Sequence, residues 1–359
     1  MGATSIRKTK EVFLLGAGFS KAVSDCMPTM RDLPPRIREL YNGSLPENID
    51  RMIGSDVEAA LSYLAQSKPW QREAENLRDR ALFLDLSYVI GQAIDQATDD
   101  AIAMMATEPP PWLSKLVKHW HRNRTHVLTL NYDTIVERVA ADLFAQNSDG
   151  NNPTCLDLYP KYISRSRGLG GFSNYEEPKT FRMLKLHGSA NWYSSGRQNR
   201  QSDSIYCTIP HSGPSGMWRS QAEARESHEA QSVADRVPFI VPPVLEKASL
   251  LEHESICALW GEARAALEKA DKLVVLGYSL PDGDWTMRHF LRTALANKDT
   301  QIEIVDRAAE LADRYRAKLS RNEDALPARQ QYSGDNCIPA FATALPEQPT
   351  SHGPGEQAE

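Results

Sequence analysis

Five short, largely apolar runs, each closed by a turn and separated from the next by helix-like stretches, limit the folds open to this chain. They are EVFLLG at 11–16, His126 to Leu130, Arg182 to Leu186, Lys272 to Leu276 and Gln301 to Val305. A strand that is apolar at consecutive positions has both faces covered, as in the interior of a parallel sheet. Such strands alternating with helices predict an α/β protein: a mostly parallel sheet with helices on both faces.

Between the first two runs the pattern changes. Pro28, Pro34, Pro35 and Pro46 are expected to make 26–46 irregular. Asp56 to Leu64 and Gln71 to Ala106 read as helices, the second with Leu77, Ala81, Leu84, Leu86, Tyr88, Val89 and Ala93 at mixed three- and four-residue spacing. Pro109, Pro110 and Pro111 precede a further helix carrying Trp112, Leu116, Val117 and Trp120. Residues 46–120 are therefore expected to form a helical insertion or cover on a core made of 1–45 and 121–330. Later helices are predicted at Thr134 to Phe144, 250–270, Trp285 to Ala296 and up to Lys318. Residues 146–180 predict a long surface connection, 190–243 an irregular insertion and 343–359 a disordered tail.

The net charge of −6 argues against a nucleic-acid-binding surface. No segment approaches the roughly 18 consecutive apolar residues of a membrane span, and the N-terminal apolar stretch is too short for a secretion signal. The expectation is a cytoplasmic protein. Cys26, Cys155, Cys207, Cys257 and Cys337 are scattered, without the paired spacing of a zinc site, so no metal is expected. H-E-x-x-H, G-x-x-x-x-G-K-[ST] and G-x-S-x-G are all missing, although Ser20 and His187 leave a weak serine-hydrolase alternative.

The chemistry-bearing residues stand after the strands. Gly16-Ala17-Gly18-Phe19-Ser20 follows the first one, where an open α/β sheet binds dinucleotides. Glycines there admit a diphosphate, and the helix behind them offers N–H groups. Lys21 fills the last place of G-x-G-x-x-G, so the pattern is incomplete. Ser20 is a candidate phosphate donor, and Lys21 or Arg31 a candidate counter-charge or a surface cation. Asn131 and His187 close two other strands and are expected to meet in one pocket, the amide on a ribose hydroxyl or a water and the imidazole as a base. Asp133 reads as a helix cap or a member of that pocket, and Tyr132 as packing. After LVVLG, the loop from Gly277 carries Tyr278, Ser279, Asp282 and Asp284, which either form a turn or close over ribose or nicotinamide. Asp306 stands ready to accept from adenosine ribose hydroxyls or to cap a helix.

Taken in order, GAGFS at 16–20, TLNYD at 129–133, KLHGS at 185–189 and GYSLPDGD at 277–284 resemble the sirtuin superfamily. The likeness is nearer to the bacterial SIR2-like domains of antiphage defence. It implies a Rossmann-like NAD-binding core with a smaller inserted module, with NAD+ as substrate. Gly16, Ala17, Gly18 and Ser20 then correspond to the NAD loop, Asn131 to the residue that contacts ribose and orders water, and His187 to the general base. The wider cofactor contour takes in Phe19, Arg31, Asp133, Gly188, Gly277, Tyr278, Ser279, Asp282 and Asp306. TLNYD departs from the T-Q-N-[IV]-D of the deacylases, and their four zinc cysteines do not follow the histidine. The resemblance thus implies an NAD+ hydrolase that releases nicotinamide and ADP-ribose and depletes NAD in antiviral defence. The alternatives are an NAD-dependent deacylase or ADP-ribosyltransferase, and a non-catalytic NAD or ADP-ribose sensor controlling assembly. A homo-oligomer is implied, with a HerA-like ATPase as partner in one branch, and the insertion is either an assembly surface or a cover.

Overall fold

The computed structural model describes residues 9–105, 109–145, 155–160, 179–195, 205–207, 236–240, 253–296, 299–320 and 327–346. Nine strands lie within them: β1 (Glu11–Leu15), β2 (His126–Thr129), β3 (Arg182–Lys185), β4 (Gly188–Ser195), β5 (Ile205–Cys207), β6 (Arg236–Ile240), β7 (Lys272–Leu276), β8 (Gln301–Val305) and β9 (Ala328–Tyr332). Six of them make one sheet in the order β3-β2-β1-β7-β8-β9, parallel at every pairing. Counted among themselves these strands run 3-2-1-4-5-6, so the winding reverses between β1 and β7. That reversal leaves a crevice beyond the carboxyl ends of the two strands, the usual ligand position of a doubly wound sheet.

All five runs read from the sequence are strands of this sheet. Their residues alternate between two cores, as the pleat requires. Val12, Leu14, Leu128, Leu184, Val275 and Ile304 meet α8 (Glu254–Lys269), α9 (Trp285–Ala294) and α10 (Leu311–Leu319). Phe13, Leu15, Val127, Met183, Val274 and Leu276 meet α1 (Ala17–Val23), α6 (Pro111–Asn123), α7 (Ile135–Ala145) and α11 (Cys337–Ala344).

The helical module has its own core. α2 (Leu33–Leu40), α3 (Glu47–Ser55), α4 (Val57–Ala65) and the first half of α5 (Glu73–Met104) bury Ile37, Ile53, Leu61, Leu64, Phe83 and Ile90 together. α5 has 32 residues, about 48 Å of helix, and farther along it Ala97 and Ala101 enter the sheet core. One continuous helix therefore ties the module to the sheet. Among the described residues no helix is long and apolar enough to cross a membrane.

Three expectations are corrected. Residues 26–46 contain a helix, because Pro34 and Pro35 stand in the first turn of α2, where a missing N–H breaks no helical bond. Residues 188–195, 205–207 and 236–240 of the supposedly irregular stretch form a separate antiparallel sheet, ordered β5-β4-β6. The chain past 320 adds β9 and α11, and Thr343 lies inside that helix rather than in a tail. The connection predicted over 146–180 falls largely outside the described residues, as does the end from 347.

At the reversal the turns after β1 and β7 touch. Gly16 N–H donates to the Leu276 carbonyl at 3.0 Å and Gly18 N–H to the Gly277 carbonyl at 2.9 Å. Gly277 has φ +67°, and a Cβ on it would lie 2.2 Å from the Phe19 nitrogen. A Cβ on Gly16 would lie 2.6 Å from the Gly277 oxygen. Gly277→Ala is expected to lower stability by about 3 kcal/mol, combining left-handed strain with a backbone clash. Gly334→Ala, at φ +85° with open space around it, should cost only about 1 kcal/mol. Urea denaturation of both variants checks this, and equal losses would refute the packing.

Candidate functional site

β2 ends at Thr129, and the chain leaves the sheet beside the glycine turn, with Leu130 N–H donating to the Leu15 carbonyl at 3.1 Å. Asn131 N–H donates to Thr129 Oγ1 at 3.1 Å, which aims its side chain back across the sheet end. There Asn131 Nδ2 donates to the Gly16 carbonyl and to Ser20 Oγ, both at 2.9 Å. The Ser20 hydroxyl gives its own proton to Asp133 Oδ2 at 2.6 Å, so toward Asn131 it must accept. Both amide hydrogens are thereby engaged, and the orientation of the amide follows from its partners. What Asn131 offers a ligand is its Oδ1, an acceptor.

Asp133 bonds in two directions. One oxygen holds Ser20, and the other accepts from Ile135 N–H at 3.2 Å at the start of α7.

Beneath this loop lies a buried charge pair. The β2–β3 register sets Lys185 opposite Thr129, and the first turn of α7 brings Glu137 to it. Lys185 Nζ sits 2.9 Å from Glu137 Oε1, with both side chains 0% exposed. The same ammonium donates to the carbonyls of Asp133 and, at 3.4 Å, Tyr132. Tyr159 Oη donates to Glu137 Oε1 at 2.6 Å, and Asn191 Nδ2 reaches Tyr159 Oη at 3.4 Å. Ser189 Oγ donates to Asn191 Oδ1 at 2.6 Å, and Ala190 N–H to the Tyr132 carbonyl at 2.9 Å. The Asn131–Tyr132–Asp133 backbone is thus held from both β3 and β4.

His187 follows Lys185 by two residues and is buried. Its ring neighbours those of Tyr132 and of Trp260 in α8, at centroid distances of 6.5 and 6.3 Å. Trp260 is fixed in turn by its Nε1–H on the Leu186 carbonyl at 3.1 Å and by Phe290 at 4.8 Å. The imidazole therefore adjoins the Asn131 loop through Tyr132. Burial, and then the carboxylates Glu58 of α4 and Asp284, push the Tyr132 phenol well above its usual pKa. The phenol therefore stays protonated, and the Tyr132 ring packs against the core of the helical module.

The other sequence candidates separate into groups. Ser20 is buried and braces Asn131, instead of facing a phosphate. Phe19 belongs to the core, against Trp112 and Trp120, each at 6.2 Å. The N–H groups of Gly18 and Phe19 already serve the carbonyls of Gly277 and Gly16, which leaves Ala17 N–H at the start of α1. Gly188 has φ +81°, and a Cβ there would lie 2.2 Å from the Phe239 oxygen, so joining β4 to β6 requires glycine. Lys21 turns to the Asp25 carbonyl and to Asp32, and Arg31 is exposed.

In the loop after β7, Tyr278 is buried. Its hydroxyl donates to Asp284 Oδ2 at 2.7 Å, and its carbonyl accepts from Tyr315 Oη at 2.7 Å. Asp284 also caps α9 through Met287 N–H. Asp282 pairs with Lys318 at 2.7 Å on the surface, and the Ser279 carbonyl accepts from Arg314 Nη1 at 3.4 Å. Asp306, at the end of β8, accepts from Ala308 N–H at 2.9 Å, and burial raises its carboxyl above the usual range. Gly16, Gly18, Ser20, Asn131, Asp133 and Gly277 thus converge at the reversal, where Tyr278 packs its Cβ against Gly16 and sends its hydroxyl to Asp284, whereas Asp282, Lys21 and Arg31 lie on the surface and the Phe19 ring lies in the core.

Sequence reasoning missed Lys185, Glu137 and Trp260. The signal for the first was visible: a lysine inside the strand RMLKL needs a buried counter-charge. Trp260 carries no local signal. Among the described residues no group of three or more His, Cys, Asp or Glu forms a metal-binding set.

No family model matches the chain, and no curated protein matches it in sequence. Solved structures do match it along most of its length. Sir2Tm bound to a propionylated peptide is 13% identical, with a TM-score of 0.40 over 94% of this chain and 91% of that one. A Sir2 homolog–NAD complex is 12% identical, with a TM-score of 0.39 over 93% and 88%. A sirtuin solved to study substrate affinity is 14% identical, with a TM-score of 0.41 over 93% and 91%.

Removing one partner of the buried pair leaves the other charge without compensation. Lys185→Met is expected to lower stability by about 3–5 kcal/mol, and Lys185→Met with Glu137→Met by distinctly less. A double-mutant cycle by chemical denaturation measures this, and strict additivity of the two single losses would show that the pair does not act as a unit.

Proposed function

We propose that this chain consumes NAD+, breaking the bond between nicotinamide and ribose and handing the ribose carbon to water, so that nicotinamide and ADP-ribose leave. The observation that supports this best is the Asn131 amide, clamped at the winding reversal by Gly16 and Ser20 with its oxygen left over. The residues present suit a dinucleotide. Ala17 N–H at the start of α1 meets a diphosphate oxygen, and the second carboxylate oxygen of Asp306 accepts from a ribose hydroxyl. Gly16 and Gly18 are required by the Gly277 turn, so their identity is not counted toward the ligand.

Bound NAD+ supplies a pyridinium ring that takes the bonding electron pair and leaves as neutral nicotinamide. Asn131 Oδ1 accepts from a ribose hydroxyl or from the attacking water. Because its Nδ2 is already tied down, the oxygen does not reorient as charge develops. His187 takes the proton of that water, or of a ribose hydroxyl, at a ring nitrogen. Tyr132 and Trp260 wall the imidazole, which limits its contact with bulk water.

Water as acceptor rests on the sequence. After His187 the only cysteines are Cys207, Cys257 and Cys337, too few for the four-cysteine zinc module of the deacylases. Acyl-lysine removal is the second reading, since Sir2 structures hold propionylated or acetylated peptides and the same Asn131 and His187 would serve that acceptor. Depletion of NAD in phage defence, alongside a HerA-like ATPase, belongs to the same proposal.

Purified full-length chain incubated with NAD+, with and without an acetyl-lysine peptide, separates the readings. The expected result is nicotinamide and free ADP-ribose without peptide, reduced about 100-fold or more by Asn131→Ala and by His187→Ala with the fold intact. Turnover only with peptide would favour the deacylase, and binding without products a sensor. Full turnover by His187→Ala would remove the base from the mechanism.

A further inference from the structure

We propose that Trp260 decides which nucleophile reaches the ribose carbon: its indole admits water beside His187 and shuts out acceptors that carry a carbon chain. This rests on the NAD+-cleaving reading of the site and names the residue that sets its acceptor.

α8 buries one stripe, Ile256, Leu259, Ala263 and Leu267, in the sheet core. Trp260 only flanks that core, and its own line along the helix is wet. Cys257, three residues before it, and Arg264, four after it, are both exposed. The indole is nevertheless fixed from two sides. Its Nε1–H donates to the carbonyl of Leu186, the residue before His187, at 3.1 Å. Phe290 of α9 meets the ring edge-on at 4.8 Å and 83°. A ring held in this way stays over the loop that carries His187.

Ring spacing then sets a size limit. The imidazole centroid lies 6.3 Å from that of Trp260, with the planes inclined by 36°, and 6.5 Å from that of Tyr132, inclined by 34°. A methylene between two rings needs carbon contacts of about 3.5–4.0 Å to each, or about 7–8 Å between the rings. Neither gap holds an alkyl chain. A water hydrogen-bonded at the edge of the imidazole needs only about 2.8 Å. Of the two walls, Tyr132 packs inward on the module core, whereas the line of Trp260 continues into exposed residues. Trp260 is therefore the wall whose removal opens a path from the surface.

Alcohols of increasing length measure that path. In the transfer the alcohol oxygen bonds to ribose C1′, and the nicotinamide–C1′ bond breaks with its electron pair going to the pyridinium ring. The hydroxyl proton passes to His187, and alkyl ADP-ribose leaves in place of ADP-ribose. The full chain is incubated with NAD+ and equal molarities of methanol, ethanol or 1-propanol, and both products are quantified by mass spectrometry. Their ratio does not depend on how much of the protein is folded or active. In the wild type the alkyl share is expected to fall about tenfold with each added methylene. Trp260→Ala should raise the propyl share about 100-fold and bring the three alcohols within about threefold of one another. Trp260→Phe, which keeps a ring, should stay near the wild type. If Trp260→Ala does not fold, Trp260→Leu carries the same expectation at about tenfold. A wild type that uses the three alcohols alike, or a ratio unchanged by the Ala or Leu variant, would overturn the role of Trp260 while leaving NAD+ cleavage standing. Turnover only with an acetyl-lysine peptide, or none at all, would overturn both.

Discussion

A lysine and a glutamate buried without exposure, Lys185 and Glu137, hold the end of this sheet in place. Two charges taken out of water are tolerated only when their remaining hydrogen-bonding capacity is met. Here the ammonium meets it with the carbonyls of Asp133 and Tyr132, and Glu137 Oε1 takes the Tyr159 hydroxyl beside the lysine. Meeting that demand shapes the loop. The backbone on either side of Tyr132 is drawn down to Lys185, which leaves Asn131 directed at the glycine turn and the Tyr132 ring beside His187. The polar interior and the candidate site are one network, joined through Asp133.

A second constraint is steric. The turns after β1 and β7 approach so closely that side chains on Gly16, Gly18 or Gly277 would overlap backbone atoms. Glycine at these positions is explained by contact between the turns, whatever binds above them. The helical module reaches the same place by another route. α5 runs from the module core into the sheet core, and the Tyr132 ring packs against the module core. The site is consequently built from the sheet ends, α8 and the module together.

Legibility in the sequence followed the range of the interactions. EVFLL and KLVVL could be read as strands because burial on both faces leaves an uninterrupted apolar run. β9, ARQQY, was missed because an edge strand has one wet side and keeps its polar residues. β4 to β6 were missed because their partners are antiparallel segments far along the chain, with no common run to mark them. α2 was hidden by two prolines that break a helix in its middle but not in its first turn. At the site, the strand-end positions of Asn131 and His187 were visible, whereas the assignment of Ser20 to a phosphate was not sustained, because its proton goes to a residue 113 positions away.

By itself the sequence determined the alternation of strand and helix, the parallel sheet that must follow from it, and which polar residues stand at strand ends. Those depend on local pattern and on the need to cover apolar faces. Tertiary structure alone decided the direction of each polar group: that Asn131 presents an oxygen, that Asp133 serves both Ser20 and α7, and that Trp260 closes over His187. A side chain's free lone pair is whatever its partners leave over. In this protein those partners come from β1, β3, α1, α7 and α8, segments that only the folded chain brings within hydrogen-bonding distance.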